Sequence, residues 1–218
     1  MFMLLSWIDG DDLAAILPQV SPNEQYRLGQ QAGRILKKIH TIPLDPSDYP
    51  VKTKKDKKLR QLKRYTQCSS RIAGDEAVIS YVREHIDSIW KEEPTYLHGD
   101  FHPSNLIFTA DGSIGVIDFN RWEIGDPYEE FYKLESFGIE VSIPYCRGQI
   151  DAYFDNAVPQ SFWEALAVYS AHAALFSIVW AESFGQKEVQ NMKRRAEATI
   201  KNYENFSRLV PTWYNITL

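Results

Sequence analysis

Residues 98–105 read His-Gly-Asp-Phe-His-Pro-Ser-Asn, gathering a carboxylate, an amide and two imidazoles where glycine and proline disfavour regular structure. Thirteen residues after Asn105, a second carboxylate, Asp118, ends an apolar run. The segment between them, "NLIFTADGSIGVID", carries Asp111-Gly112 between two apolar stretches, the signature of a hairpin with a two-residue turn. That turn predicts residue 105 opposite residue 118 at the hairpin's open end. Opposed residues have Cβ atoms about 4.5–5.5 Å apart, close enough for an amide oxygen and a carboxylate to share one cation. Oxygen-only ligation favours Mg²⁺ over zinc. The same pair also reads as two ordinary turn formers ending a hairpin, and alone it does not separate the two.

Asp100 adds a third group. It lies in the loop that feeds the hairpin and is carried to the same end. Two metal ligands with a free carboxylate beside them suit phosphoryl transfer: the ion neutralises phosphate charge, and the carboxylate orients an attacking hydroxyl and accepts its proton. Gly99 allows the tight bend. His98 is expected to brace the loop by hydrogen bonding.

These groups need a scaffold, and the rest of the chain supplies mainly helices. "MFMLLSWI" predicts a short buried strand running into the loop "DGDD". Ser21, Pro22 and Glu24 form a helix-start signal with a capping box, followed by Leu28, Ala32, Ile35 and Ile39 at helical spacing. The basic run at 52–64 is expected to be a solvated helix face rather than a polyanion contact. "DEAVISYVREHIDSIWKE" predicts a further amphipathic helix, and four more are predicted at about 127–139, 145–156, 160–184 and 187–208. The third of these is apolar nearly all round and is expected to be the central core helix, with His172 a satisfied core histidine. Strand signals are confined to the start and to residues 105–118. The predicted fold is mostly α with one small β-hairpin, an α+β arrangement.

Composition narrows the partners. The 218 residues are 44% hydrophobic and 24% charged, with a net charge of −5 that argues against nucleic acid. Cys68 and Cys146 are too few for a disulfide framework and are expected to be free thiols. The apolar start has no basic leader and is too short for a signal segment or a membrane span, so a cytoplasmic protein is expected.

"HGDFHPSN" followed by "VIDF" resembles the catalytic loop and metal-binding segment of the aminoglycoside phosphotransferase and choline-kinase-like family, relatives of the protein kinases. H-G-D-x-x-x-x-N stands where protein kinases have H-R-D-x-x-x-x-N, and "IDF" where they have D-F-G. "NRWEIGDPYEEF" resembles the family's G-D-P-x-x-D segment, with Glu129 or Glu130 in place of the aspartate. "LLSWIDGDDL" is similar to the hinge between kinase lobes. The resemblance runs from Met1 to about Glu135. It implies a kinase-like C-terminal lobe over residues 11–218, a hinge over 1–10, and the catalytic loop and metal-binding hairpin at 96–119. It also implies Asp100 as catalytic base with His98 beside it, Asn105 and Asp118 as Mg²⁺ ligands, and backbone groups of Ser6, Trp7 and Ile8 holding the adenine of ATP. Asp126 is implied to be structural.

The resemblance leaves the family's nucleotide-covering lobe without a counterpart, so the chain reads as a C-terminal lobe alone. Phe2, Leu4, Trp7, Leu106, Phe108 and Phe119 are then expected to form an open apolar patch through which two copies pair. The expected function is transfer of the ATP γ-phosphate to a hydroxyl of a small, cationic acceptor drawn in by Asp9, Asp11, Asp12, Glu123 and Glu129. The alternatives are a non-catalytic remnant lobe that binds or regulates, and, less favoured, a metal-dependent hydrolase.

Overall fold

The Ser21 hydroxyl accepts from the Glu24 amide at 3.3 Å and starts α2 (Pro22–His40), as the capping signal predicts. The structure, a computed structural model, describes residues 6–215. Before α2 come a two-residue strand, β1 (Asp11–Asp12), and one helical turn, α1 (Leu13–Ile16). After it come α3 (Lys55–Gln67), α4 (Glu76–His85), β2 (Thr95–Leu97), β3 (Leu106–Phe108), β4 (Ile114–Val116) and β5 (Glu123–Gly125). Short 3₁₀ and π turns fill Pro127–Gly138, and α5 (Ile139–Val141), α6 (Ile143–Tyr153), α7 (Gln160–Ala181) and α8 (Gln186–Asn202) complete the lobe. The protein is mostly α with two small antiparallel sheets.

α7 is the centre, as its all-round apolarity predicts. One flank buries Phe162, Leu166 and Tyr169 in one core cluster, and the other buries Ala171, Leu175 and Ile178 in a second. The stretch Gln160–Phe184 is long and apolar enough to cross a membrane by composition, but its apolar surface is spent on this core, with 72% of the window buried. α2 and α6 cross almost backbone to backbone. A Cβ on Gly29 would stand 2.0 Å from the Tyr145 carbonyl oxygen, and one on Gly148 would stand 2.2 Å from that of Tyr26.

Three expectations about strands need correction. Residues 6–10 are irregular rather than a strand, and residues 1–5 lie outside the described residues. Pairing begins instead at β1, whose Asp11 and Asp12 face Phe108 and Ile107. The second sheet, β2 against β5, was not expected, because three-residue strands are too short to show a period. The hairpin forms, but with Leu106 opposite Val116 and Phe108 opposite Ile114. Its loop is Ala110-Asp111-Gly112, in which the Gly112 amide donates to the Thr109 carbonyl and Gly112 takes the left-handed conformation at φ 80°. A three-residue loop shifts the register by one, so Asn105 meets Ile117, whose amide donates to the Asn105 carbonyl at 3.1 Å.

Of the six residues expected in the apolar patch, Phe2 and Leu4 lie outside the described residues. Among the other four, Leu106 is fully buried, Phe108 and Phe119 are half-buried, and Trp7 is well exposed.

Candidate active site

β2 leads directly into the His98-Gly99-Asp100 bend. Gly99 sits at φ 80°, and a Cβ there would lie 2.0 Å from the Arg121 carbonyl oxygen, so only glycine fits. Glu130 staples the bend from below. Its two carboxylate oxygens accept from the His98 and Gly99 amides at 2.9 and 2.8 Å. Burial pushes the Glu130 carboxyl up to about 7 although both bonds favour the ionised form.

His98 is fully buried. Its Nδ1 accepts from the Asp100 amide at 3.2 Å, and its Nε2 donates to the Ile117 carbonyl at 2.9 Å. Burial holds its pKa below the ordinary histidine value, so the ring stays neutral. With both nitrogens engaged inside the protein, His98 braces the loop and ties it to the residue before Asp118. Both bonds position the loop.

Asp100 stands at the edge of a cleft of about 410 Å³ between α3, α7, α8 and the loop. Its Oδ1 pairs with Lys133 Nζ at 2.6 Å and lies 3.5 Å from His102 Nε2, while Oδ2 has Arg121 at 3.4 Å. Burial alone would raise this carboxyl, but the Lys133 hydrogen bond and charge, aided by His102 and Arg121, hold it below the usual carboxylate range. The result is an ionised carboxylate with one oxygen tightly held and the other facing only an exposed guanidinium.

Asn105 donates from Nδ2 to the Asp100 carbonyl at 2.8 Å, which turns its Oδ1 away from that bond as a free acceptor. Asp118 is exposed, takes the left-handed conformation (φ 64°, ψ 54°) and makes no capping hydrogen bond. In a regular strand the one-residue slip would send its side chain to the opposite face. The left-handed backbone ends the strand at that position, so the alternation no longer applies. Among the described residues Asn105 Oδ1 and the Asp118 carboxylate make no hydrogen bond or ion pair, and both are oxygen donors of the kind a hard cation takes. Among the described residues no group of three or more histidine, cysteine or acidic side chains could hold a metal. A cation here would need further oxygens from its ligand or from water.

Ser6 and Trp7 are exposed, with Trp7 Nε1 donating to Asp9 at 2.7 Å. Ile8 packs over β4, where a Cβ on Gly115 would meet it at 2.8 Å. This segment lies on the hairpin that Asn105 opens, outside the cleft lining. Asp126 plays the expected structural part: buried, it accepts from the Trp90 and Tyr128 amides and the Tyr169 hydroxyl.

Lys133, Arg121 and the α3 lysines were not anticipated. The basic run is no simple solvated face: Lys58 is buried against Glu129 at 2.5 Å, Lys54 pairs with Glu123 at 2.5 Å, and Lys57 lines the cleft. A signal was available in Lys54, Lys57 and Lys58, which share one helical face by their spacing. His172 is buried but not satisfied, because its Nε2 has no hydrogen-bond partner among the described residues and the ring lines the cleft.

The profile of the Phosphotransferase enzyme family (APH) matches residues 1–169. No curated protein matches in sequence. Among solved structures, the gentamicin complex of APH(2″)-IIa is similar with a TM-score of 0.66 at 20% identity, covering 94% of this chain and 71% of the other. The GDP complex of aminoglycoside 2′-phosphotransferase-IIIa gives 0.67 at 16% identity, covering 90% and 69%. A choline/ethanolamine kinase family protein from Mesorhizobium loti gives 0.63 at 16% identity, covering 87% and 67%. At these identities the likeness is one of fold, and that fold is kinase-like.

Proposed function

The chain belongs to the phosphotransferase enzyme family, and on that premise we propose that it transfers the γ-phosphoryl group of ATP to a hydroxyl of a small molecule. The observation that carries this reading is Asp100: an ionised carboxylate at the cleft edge, with Oδ1 fixed by buried Lys133 and Oδ2 held only loosely, 3.4 Å from the exposed Arg121 guanidinium. The acceptor hydroxyl approaches Oδ2, which takes its proton as the hydroxyl oxygen bonds to the γ-phosphorus. The bond from that phosphorus to the β–γ bridging oxygen breaks, and ADP leaves. Positioning and charge placement do most of the work in such a transfer, because little covalent chemistry falls to the protein.

Asn105 Oδ1 and the Asp118 carboxylate are the groups that would hold Mg²⁺, and they fit it as hard oxygen donors without close partners among the described residues. When bound, the ion would neutralise charge on the nucleotide phosphates. Residues 1–10 serve as the hinge in this reading, with backbone groups of Ser6, Trp7 and Ile8 against the adenine and residues 11–218 as the lobe. The GDP found in aminoglycoside 2′-phosphotransferase-IIIa supports nucleotide use. Asp100 belongs to the cleft lining and Asn105 and Asp118 do not, consistent with an acceptor side and a nucleotide side that meet at Asp100.

Titration calorimetry with ATP, with and without Mg²⁺, tests the reading. Binding that needs magnesium and is lost in Asp118→Ala is the expected result. No binding at millimolar nucleotide, or binding indifferent to the substitution, would refute it and leave a lobe that binds or regulates without turnover.

A further inference from the structure

The acidic residues expected to attract a cation are not placed to do so. Asp11 and Asp12 lie in β1 against the hairpin, and Asp9 is absent from the cleft lining. Of the five, only Glu123 and Glu129 line the cleft, and each is paired with a lysine at 2.5 Å. Six basic side chains face three acidic ones in that lining.

Once the internal pairs are removed, what remains is cationic. Lys57 makes no ion pair among the described residues and is exposed. Arg195 is fixed by two bonds from Nε and Nη2 to Glu140, which lies outside the lining, at 3.0 and 2.7 Å, and Nη1 takes no part in that pair. Its guanidinium lies 4.7 Å over the Phe137 ring, an arrangement that holds the fork rigid. Arg121 is more than half exposed beside Asp100. Phe137, Phe176 and Trp180 add an aromatic wall.

Two buried acceptors point to a ligand as well. His172 is 3% exposed, bonds through its other nitrogen to the Lys58 backbone, and leaves Nε2 empty. Burial, with Lys58 and Lys57 nearby, keeps the ring neutral, so Nε2 accepts a proton donor rather than offering one. Glu129 Oε2 is also unpartnered. Lys58, Lys54 and Lys57 already act on that carboxylate, so a neutral hydroxyl suits it and a further cation is not required. Buried acceptors without partners are uncommon in native proteins; of the several among the described residues, these two belong to side chains that line this cleft.

We propose that the acceptor is an anion: a hydroxylated compound with a carboxylate or phosphate group set on Lys57, Arg195 and Arg121, hydroxyl groups toward His172 and Glu129, and a flat apolar body along the aromatic wall. The proposal rests on the reading of Asp100 as the group facing the acceptor hydroxyl. It assigns to this cleft the charge opposite to that of an aminoglycoside or choline.

Calorimetry with a matched probe series tests it: 4-(hydroxymethyl)benzoate, its neutral methyl ester, and 4-(aminomethyl)benzyl alcohol as the cation. The benzoate should bind about tenfold more tightly than either of the others and weaken with added salt. Lys57→Glu, alone and combined with Arg195→Gln, should remove that preference. 4-(Hydroxymethyl)phenyl phosphate then tells a phosphate site from a carboxylate site. Equal or tighter binding of the cation, an unchanged preference in both variants, or no binding of any probe at millimolar concentration would overturn the proposal. The probes are titrated without nucleotide, so the outcomes separate cleanly. A preference for the cation with magnesium-dependent ATP binding intact overturns the anionic acceptor alone. A preference for the anion without ATP binding supports it and overturns the transfer reading instead.

Discussion

Lys133→Met isolates the contact on which Asp100 depends. Methionine is of similar length and fills the same space without charge or donor. The Lys133 side chain is 7% exposed and that of Asp100 13%, so solvent screens their 2.6 Å contact only weakly. A hydrogen bond to a charged group contributes roughly 1.5–3 kcal/mol. Without that bond and charge the Asp100 carboxyl should titrate higher in the variant than in the native protein. The sign follows from its depressed value. In the native protein Asp100 contributes stability above its unfolded pKa and loses it as pH falls through the lower folded value. The variant should therefore be less stable by roughly 1.5–3 kcal/mol at neutral pH, with the gap closing on acidification. Carbon-13 NMR of protein labelled at aspartate carboxyls reads the titration directly, and urea unfolding at several pH values reads the stability. In an active enzyme the acid limb of kcat/KM should shift upward with it. An Asp100 that titrates identically in both proteins would refute Lys133 as the group that sets its charge.

Gly29→Ala should destabilise the lobe by roughly 1–3 kcal/mol in urea unfolding, because its Cβ would stand 2.0 Å from the Tyr145 carbonyl; unchanged stability would contradict the close α2–α6 crossing. Burial holds the Glu130 carboxyl up at about 7, so its contribution is complete below about 4.5 and is lost as pH rises through 7. Relative to Glu130→Gln, the native protein should therefore lose roughly 3 kcal/mol between pH 4.5 and 8, and a difference independent of pH would sink the assignment.

The helices could be read from the residues because their signals are long and redundant. Ser21 and Glu24 fix the start of α2, and the unbroken apolarity of 160–181 marks α7 as central. The short strands carried no such redundancy. β2 and β5 have three residues each, and β1 is two aspartates that no propensity would assign to a sheet. Asp111-Gly112 announced the hairpin correctly but left its loop one residue uncertain, which misplaced Asp118 against Asn105. The loop of the candidate site stood out because glycine, proline, two histidines, an aspartate and an asparagine so close together fit neither a helix nor a strand. What surrounds it did not. Lys133, Arg121 and Lys57 reach the cleft from three separate elements, and only tertiary packing brings them to one lining.

A crystal structure with Mg²⁺ and a non-hydrolysable ATP analogue tests the central claim most directly. The claim predicts one ion contacting both Asn105 Oδ1 and the Asp118 carboxylate, the adenine against residues 6–8, and the γ-phosphate turned toward Asp100 Oδ2. A nucleotide bound elsewhere, or an ion that touches neither Asn105 nor Asp118, would contradict it.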